Sequence, residues 1–260
     1  NSLTTLKERY LQKDENGNVI EKPEEMFLRV ATNIAMADLN YGKSEENVRE
    51  VTNKFYDLMS SLKFLPNSPT LMNAGRDLQQ LSACFVIPIE DSIESIFGAA
   101  RDGALVHKSG GGTGYSLSKL RPKNSRVKST SGIASGPVSF INVFNTYTET
   151  VKQGGTRRGA NMGILRIDHP DIRDFIHAKA ELNEINSEIL DKVKEKTGLD
   201  DNDNYVIILK QKLLERTQLN NFNLSVGATG EFMKAVGEDN YFELKDPHSG
   251  EITEKVRAKK

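Results

Sequence analysis

The chain has no tryptophan and a single cysteine, Cys84, among its 260 residues. One thiol excludes an intrachain disulfide framework and cannot by itself build a thiolate metal cluster. By residue type alone, Cys84 is either a buried small hydrophobe or a group that does chemistry. Long apolar runs are also missing: nothing approaches the roughly 18 residues that span a bilayer, and the opening NSLTTLKERYLQKDENG lacks the apolar centre of a signal peptide. No membrane partner and a cytoplasmic location are therefore expected. Neither sign of charge dominates. The 35 Lys and Arg against 36 Asp and Glu leave a formal net charge of -1, which argues against broad attraction to nucleic acid or an anionic membrane. Any anion that binds must meet a local site. His107, His169 and His177 show no metal-ligand spacing with cysteines or carboxylates and read as structural, so no metal site is expected.

What is present is enough chain to bury a full core, with 37% of residues hydrophobic, as one large domain or a large and a small one. Residues 23–62 carry apolar positions at helical spacing, from Phe27, Val30, Ala31, Ile34 and Ala35 to Val48, Val51, Phe55, Leu58 and Met59. They predict two amphipathic helices split near Tyr41-Gly42-Lys43. Ser44, followed by Glu45 and Glu46, suits a cap, although Asn47 stands where a capping box wants Glu or Gln. From Phe64 short apolar runs alternate with helical patterns, the texture of a mixed α/β domain. The patterns predict a buried strand at Cys84–Ile87, a helix from Ile93 to Lys108 opened by Asp91-Ser92, and a strand at Met162–Ile167. A helix through Phe175 to Lys179, a strand at Asn223–Val226 and a helix from Gly230 to Val236 follow. The charged stretch 181–218 reads as a helical surface excursion with a short edge strand at Tyr205–Leu209. The closing run Glu251–Lys260 is polar and basic, with no sign of a domain end.

Glycine is concentrated where chemistry could use it. Ser109-Gly110-Gly111-Gly112-Thr113-Gly114 puts four glycines in five positions, so backbone N–H groups can converge on an anion with no side chain in the way. No Lys-Ser or Lys-Thr pair closes it as a P-loop requires, and a plain turn is the alternative. Gln153-Gly154-Gly155-Thr156-Arg157-Arg158-Gly159-Ala160 sets two guanidinium groups between glycines, either a ligand-contacting loop or a solvated basic one. Lys119, Arg121, Lys123, Arg126 and Lys128 form a local basic cluster. It is either an ordinary solvated face or a site for a nucleotide phosphate, which it fits better than a nucleic-acid groove because stacking aromatics are scarce there. Asn67-Ser68-Pro69-Thr70 offers hydroxyls and an amide in a turn-prone setting, as a small-ligand contact or as a turn alone. Asp168-His169-Pro170-Asp171 reads as a strand-to-helix turn with its cap, and Asp91 has the same simple reading.

The order of these pieces is more specific than any one of them: LPNSPTLMNAG, SACFVIPIEDS, KSGGGTGYSLSKLRP, ASGPVSF, then VKQGGTRRGANMGILRIDHPDI. In that order the chain resembles the large subunit of ribonucleotide reductases, over about residues 4–179 and again 220–236. In wording it resembles the adenosylcobalamin-dependent class II enzymes more than the di-iron class I. The resemblance implies an α/β fold: a helical N-terminal region (1–62), then the first part of a ten-stranded α/β barrel (63–260), with 181–218 a charged surface insertion. It implies thiyl-radical removal of the ribonucleotide 2′-hydroxyl, the route to DNA precursors. Cys84 matches the first of two reducing cysteines that end as a disulfide, and Ser68, Ala83, Cys84, Gly111 and Gly112 match substrate-lining positions. Asp91, Lys119, Arg121 and Arg126 match an allosteric site for deoxynucleoside triphosphates at a homodimer interface. Gln153, Gly154, Gly155, Thr156, Arg157, Arg158 and Gly159 match the loop that relays effector identity to the substrate. Adenosylcobalamin is the implied cofactor, with a di-iron radical from a second subunit as the alternative. A thioredoxin- or glutaredoxin-type protein is the implied electron donor.

Three essential residues of the family find no match: the radical cysteine, its neighbouring glutamate and the second reducing cysteine. In the family they lie beyond the stretch matching Asn221–Val226. An incomplete part of a reductase is therefore expected. Two readings stand against it: a non-catalytic effector-binding and dimerisation half of a split reductase, served by a complementary C-terminal chain, and an unrelated glycine-loop nucleotide-binding protein. The 260-residue chain is expected to have no reductase activity alone; turnover of a ribonucleotide by the purified polypeptide would contradict this.

Overall fold

A computed structural model describes residues 1–127, 131–151, 159–217 and 219–259, with the backbone alone described at 180–186 and 214–217. The chain divides into two compact units, one of Asn1–Phe85 with Ser109–Gly111, the other of Val86–Lys108 with Gly112–Lys260.

The first unit is helical, with α1 (Ser2–Arg9), α2 (Pro23–Ala35), a 3-10 turn (Met36–Tyr41), α3 (Glu45–Ser60) and α4 (Ser68–Asn73). Proline opens α2, where its missing N–H costs nothing, and the Glu25 carboxylate accepts from the Lys22 N–H at 2.8 Å. Met26, Val30, Ala31 and Ala35 lie on one buried face. Met26, Val30 and Ala31 pack with Leu11, Met59, Leu71 and Ala74. The break between α2 and α3 falls where the spacing predicts: Gly42 is left-handed (φ 75°), and Ser44 Oγ accepts from the Asn47 N–H at 3.3 Å. α1 buries no residue, so no apolar period announces it.

A buried carboxylate joins the N-terminal segment to these helices. Asp14 accepts from the Asn16 and Asn18 N–H groups, turning the chain back so that the Gln12 N–H reaches Glu21 Oε2 at 2.9 Å. Arg29 Nε donates to Glu21 Oε1 at 2.6 Å, and Arg76 Nη2 to Oε2 at 3.2 Å. Arg29 also donates to the backbone carbonyls of Ala74 and Leu71, and Arg76 Nη2 to that of Tyr10, while Arg76 Nε is buried without a partner.

The chain crosses into the second unit within β1 (Cys84–Val86). There follow α5 (Ile93–Lys108), β2 (Gly112–Ser116), the short pair β3 (Arg126–Val127) and β4 (Gly132–Ile133), α6 (Pro137–Thr150) and β5 (Asn161–Arg166). Then come α7 (Ile172–Thr197), α8 (Asn204–Thr217), β6 (Phe222–Gly227), α9 (Gly230–Gly237) and a hairpin of β7 (Tyr241–Lys245) with β8 (Ile252–Arg257). Strands β2, β5 and β6 pair in parallel, Thr113 opposite Asn161 and Asn161 opposite Phe222. Helical crossovers return the chain each time, the connection that parallel pairing requires. Tyr115, Leu117, Phe144, Leu165, Phe175 and Phe222 are fully buried in the core below, each contributing about 1.5–3 kcal/mol of burial free energy.

Three expectations are corrected. The strand predicted at Cys84–Ile87 forms over Cys84–Val86, but Cys84 and Val86 are exposed and burial begins at Ile87. Tyr205–Leu209 is helical, not an edge strand, because Asp203 Oδ1 accepts from the Tyr205 N–H at 2.8 Å and α8 packs on α7, overriding the β-branched run Val206-Ile207-Ile208. The run read only as polar and basic supplies β8.

Burial opposes ionisation of Glu21, but the bonds from Arg29 and the Gln12 N–H, with the charges of Arg29 and Arg76, outweigh it and hold its pKa below the ordinary 4.5. A carboxyl with a depressed folded pKa stabilises fully above its unfolded value and progressively less as pH falls through the folded one. Acid-dependent unfolding should therefore show a loss of stability beginning below about pH 4.5. Glu21→Gln should remove that limb and cost about 3 kcal/mol at neutral pH, the low end for breaking a buried pair because Arg76 keeps some contact with solvent. Urea unfolding across pH measures both, and an unchanged acid limb in Glu21→Gln would show that Glu21 is not its source.

Candidate functional site

Asn67-Ser68-Pro69-Thr70 is more than a turn: it starts α4, with Asn67 Oδ1 accepting from the Thr70 N–H at 2.9 Å. Three side chains hold this short helix against the segments around it. Thr70 Oγ1 donates to the Leu81 carbonyl at 2.9 Å, Asn73 Nδ2 to the Gln80 carbonyl at 2.8 Å, and Gln80 Nε2 to Ser109 Oγ at 3.0 Å. The first unit therefore gathers the helix that carries Ser68, the run leading to Ala83 and Cys84, and Ser109-Gly110-Gly111, where Gly110 has φ 88°. Ser68 Oγ lies 2.9 Å from the Tyr10 hydroxyl. The grouping offers a hydroxyl, an exposed thiol and side-chain-free backbone. Gly112 opens β2, in the second unit.

The second unit contains a cavity of about 440 Å³. Ile96, Val127, Ile133 and Phe140 form its apolar wall, and Asp91, Ser92, Glu94, Arg121, Ser135 and Gly136 its polar part. Residues that start α5 and α6 both line it, so two positive dipole ends and the Arg121 guanidinium face a space that also carries the carboxylates of Asp91 and Glu94. Asp91 is not the cap of α5. That role falls to Ser92, whose Oγ accepts from the Ser95 N–H at 3.1 Å. Asp91 instead accepts from the Arg121 N–H at 3.1 Å and from Arg121 Nε at 2.5 Å, and His248 Nε2 lies 2.9 Å from the same carboxylate. Nothing in the sequence flags His248; the turn of the β7–β8 hairpin brings it there, with the Asp246 side chain accepting from the His248 and Ser249 N–H groups.

Of the described members of the basic cluster, Arg121 alone lines this cavity. Lys119 pairs with Glu90, Lys123 Nζ lies 3.7 Å from Asp174, and Arg126 sits on β3 beside Val127 without lining the space. Lys128 and residues Gln153, Gly154, Gly155, Thr156, Arg157 and Arg158 lie outside the described residues. Gly159 is described, and its place is tight: a Cβ there would stand 2.8 Å from both His107 Nδ1 and Thr148 Cγ2.

That contact belongs to a buried chain of hydrogen bonds. Thr148 Oγ1 donates to the Phe144 carbonyl, Asn161 Nδ2 to Thr148 Oγ1 at 2.9 Å, and Thr113 Oγ1 to Asn161 Oδ1 at 2.6 Å. With its one proton committed, Thr113 must accept from His107 Nε2 at 3.1 Å, which makes the ring the Nε2–H tautomer. Burial holds the His107 pKa below its ordinary range, in keeping with a neutral ring. His169 is held at both ring nitrogens: Nδ1 accepts from the Asp171 N–H at 3.0 Å and Nε2 donates to the Leu120 carbonyl at 2.8 Å. His107 Nδ1, by contrast, is buried without a hydrogen-bond partner. Among the described residues no group of three or more His, Cys, Asp and Glu could hold a metal ion, and no helix is long and apolar enough to cross a membrane.

Comparison with known proteins gives two family matches: residues 1–79 fit the model described as ribonucleotide reductase, all-alpha domain, and residues 82–259 the one described as ribonucleotide reductase, barrel domain. The vitamin B12-dependent ribonucleoside-diphosphate reductase of Thermoplasma acidophilum is 39% identical over 312 aligned positions, which take in 100% of this chain and 36% of the relative. Its namesake in Mycobacterium tuberculosis is 40% identical over 257 positions, 99% of this chain and 32% of the relative. The ribonucleoside-diphosphate reductase subunit alpha of Helicobacter pylori is 34% identical over 174 positions, 67% of this chain and 21% of the relative. The chain thus spans about a third of the length of the first two relatives.

The exposure of Cys84 gives a direct check. In native protein one equivalent of thiol per chain should react with an aromatic disulfide reagent at a rate close to that of the unfolded chain. A thiol silent until denaturant is added would place Cys84 in the interior.

Proposed function

Since this chain belongs to the ribonucleotide reductase family, all-alpha and barrel domains both, we propose that it is the front part of an enzyme that reduces ribonucleotides to 2′-deoxyribonucleotides. The observation that carries the reading is the grouping of Ser68, Ala83, Cys84 and Gly111 within one unit, under hydrogen bonds from Thr70, Asn73 and Gln80. In it Cys84 is a reductant: its thiol and a second thiol become a disulfide, giving up two electrons and two protons, while the ribose 2′-oxygen leaves as water. A chain with one cysteine does not supply that second thiol. Ser68 offers its hydroxyl to ribose or phosphate oxygen, and Gly111 offers backbone without a side chain. A thioredoxin- or glutaredoxin-type dithiol protein returns the disulfide to thiols.

The cavity at the starts of α5 and α6 is assigned to a deoxynucleoside triphosphate effector, with Arg121 toward phosphate and the apolar wall toward the base. Asp91 holds Arg121, and Lys119 and Arg126 stand outside the lining with no assigned contact. In a homodimer this site and the loop Gln153–Gly159 form the switch that matches substrate to effector.

The names of the Thermoplasma and Mycobacterium relatives point to adenosylcobalamin as the radical source, which supplies a carbon-centred radical by homolysis when bound. Among the histidines, His107 and His169 are buried and His248 faces Asp91, so none of these three stands free toward a cofactor. By the resemblance the corrin is assigned chiefly to barrel elements outside this chain.

Equilibrium dialysis of dTTP and dATP tests the effector site. At least one should bind, and Arg121→Ala should weaken it about ten-fold or more, the loss of a charge-assisted bond. Equal binding by Arg121→Ala would remove Arg121 from the site.

A further inference from the structure

Tyr10 lies outside every motif that carries the family resemblance to the substrate, yet its hydroxyl is 2.9 Å from Ser68 Oγ. We propose that Tyr10 is a positioning residue for the ribonucleotide, acting through Ser68; the inference rests on the reading of Ser68 as a substrate contact.

A serine hydroxyl is a free rotor with one proton and two acceptor sites. The phenol is the stronger acid of the two, so it donates to Ser68 Oγ and leaves the serine proton to point away, toward an acceptor oxygen of the bound nucleotide. The start of α4 fixes the backbone of Ser68, with Asn67 as cap and Pro69 next in line. It does not fix the hydroxyl torsion, which Tyr10 supplies.

Tyr10 is itself held from two sides. Its N–H donates to the Leu6 carbonyl at 2.9 Å, closing α1, and its carbonyl accepts from Arg76 Nη2 at 2.9 Å. Arg76 is bound in turn to Glu21, whose carboxylate also takes the Gln12 N–H. The ring packs against the unit's apolar core, which includes the buried neighbour Leu11. The N-terminal segment thus presents one phenol hydroxyl to one serine, with its backbone anchored by charge and its ring by packing.

The test is a double-mutant cycle in the complete reductase chain, reading the affinity for a ribonucleoside diphosphate, CDP, by calorimetry and KM against kcat in turnover. Tyr10→Phe keeps the packed ring. It should weaken CDP binding and raise KM about two- to ten-fold, the range for one oriented hydrogen bond, with kcat changed less. Ser68→Ala should weaken binding at least as much, and Tyr10→Phe should cost nothing further in the Ser68→Ala background. Thermal unfolding of each variant checks that the fold persists. If Ser68→Ala weakens binding while Tyr10→Phe is silent, or if the two losses add, Tyr10 does not act through Ser68 and the proposal falls alone. If Ser68→Ala leaves CDP affinity unchanged, the substrate reading of Ser68 fails and takes the proposal with it.

Discussion

The second unit depends on a directed chain of hydrogen bonds from His107 through Thr113 and Asn161 to Thr148 and the Phe144 carbonyl. Parallel strands start where loops end, and at a buried start the polar groups need partners inside the protein. Here the starts of β2 and β5 meet at the Thr113–Asn161 pair, and the ends of α5 and α6 supply the flanking members. Each member uses the proton that its neighbour leaves free, so the loss of any one orphans the next. Glycine-rich sequence precedes both strands. At Gly159 a side chain would strike His107 and Thr148.

How much of this could be read from sequence depends on the kind of signal each element carries. The helix Ile93–Lys108 was legible to the residue because Ile96, Ala99, Gly103 and His107 recur on one buried face behind a serine cap. The Gly42 break and the Ser44 cap were legible for the same local reasons. α1 and β8 were not, since one buries nothing and the other has only Val256 packed against the core, leaving no period to read. The edge strand at Tyr205–Leu209 failed because β-branched residues stated a weak preference that an aspartate cap and packing on α7 overrode. The simple reading of Asp91 as a cap gave way to a better donor set, Arg121 and His248, that is brought together only in three dimensions; its reading by resemblance as an effector contact is separate from this. The ordered motifs did foretell the family, because a series of short fits in fixed order constrains more than any of its members.

The two sites manage charge differently. Around Glu21 two guanidinium groups share one carboxylate and pass further donors to backbone carbonyls, while Arg76 Nε stays buried without a partner. Around Asp91 a carboxylate is held by a guanidinium and an imidazole, and the carboxylate and the guanidinium line a cavity. The first arrangement is mostly buried, whereas the second leaves space beside its arginine. Both use an arginine fork for what a lysine could not supply, several bonds in fixed directions.

The first unit is not continuous in the chain: it takes in Ser109–Gly111 only after α5 has been laid down in the other unit, and Gln80 is bonded to Ser109. A polypeptide emerging from the ribosome therefore carries Gln80 without its Ser109 partner until α5 has been made, although the apolar core of the helices, drawn from Leu6 to Leu81, is already out. The thiol of Cys84 likewise emerges before Ser109–Gly111, the last segment of its own unit.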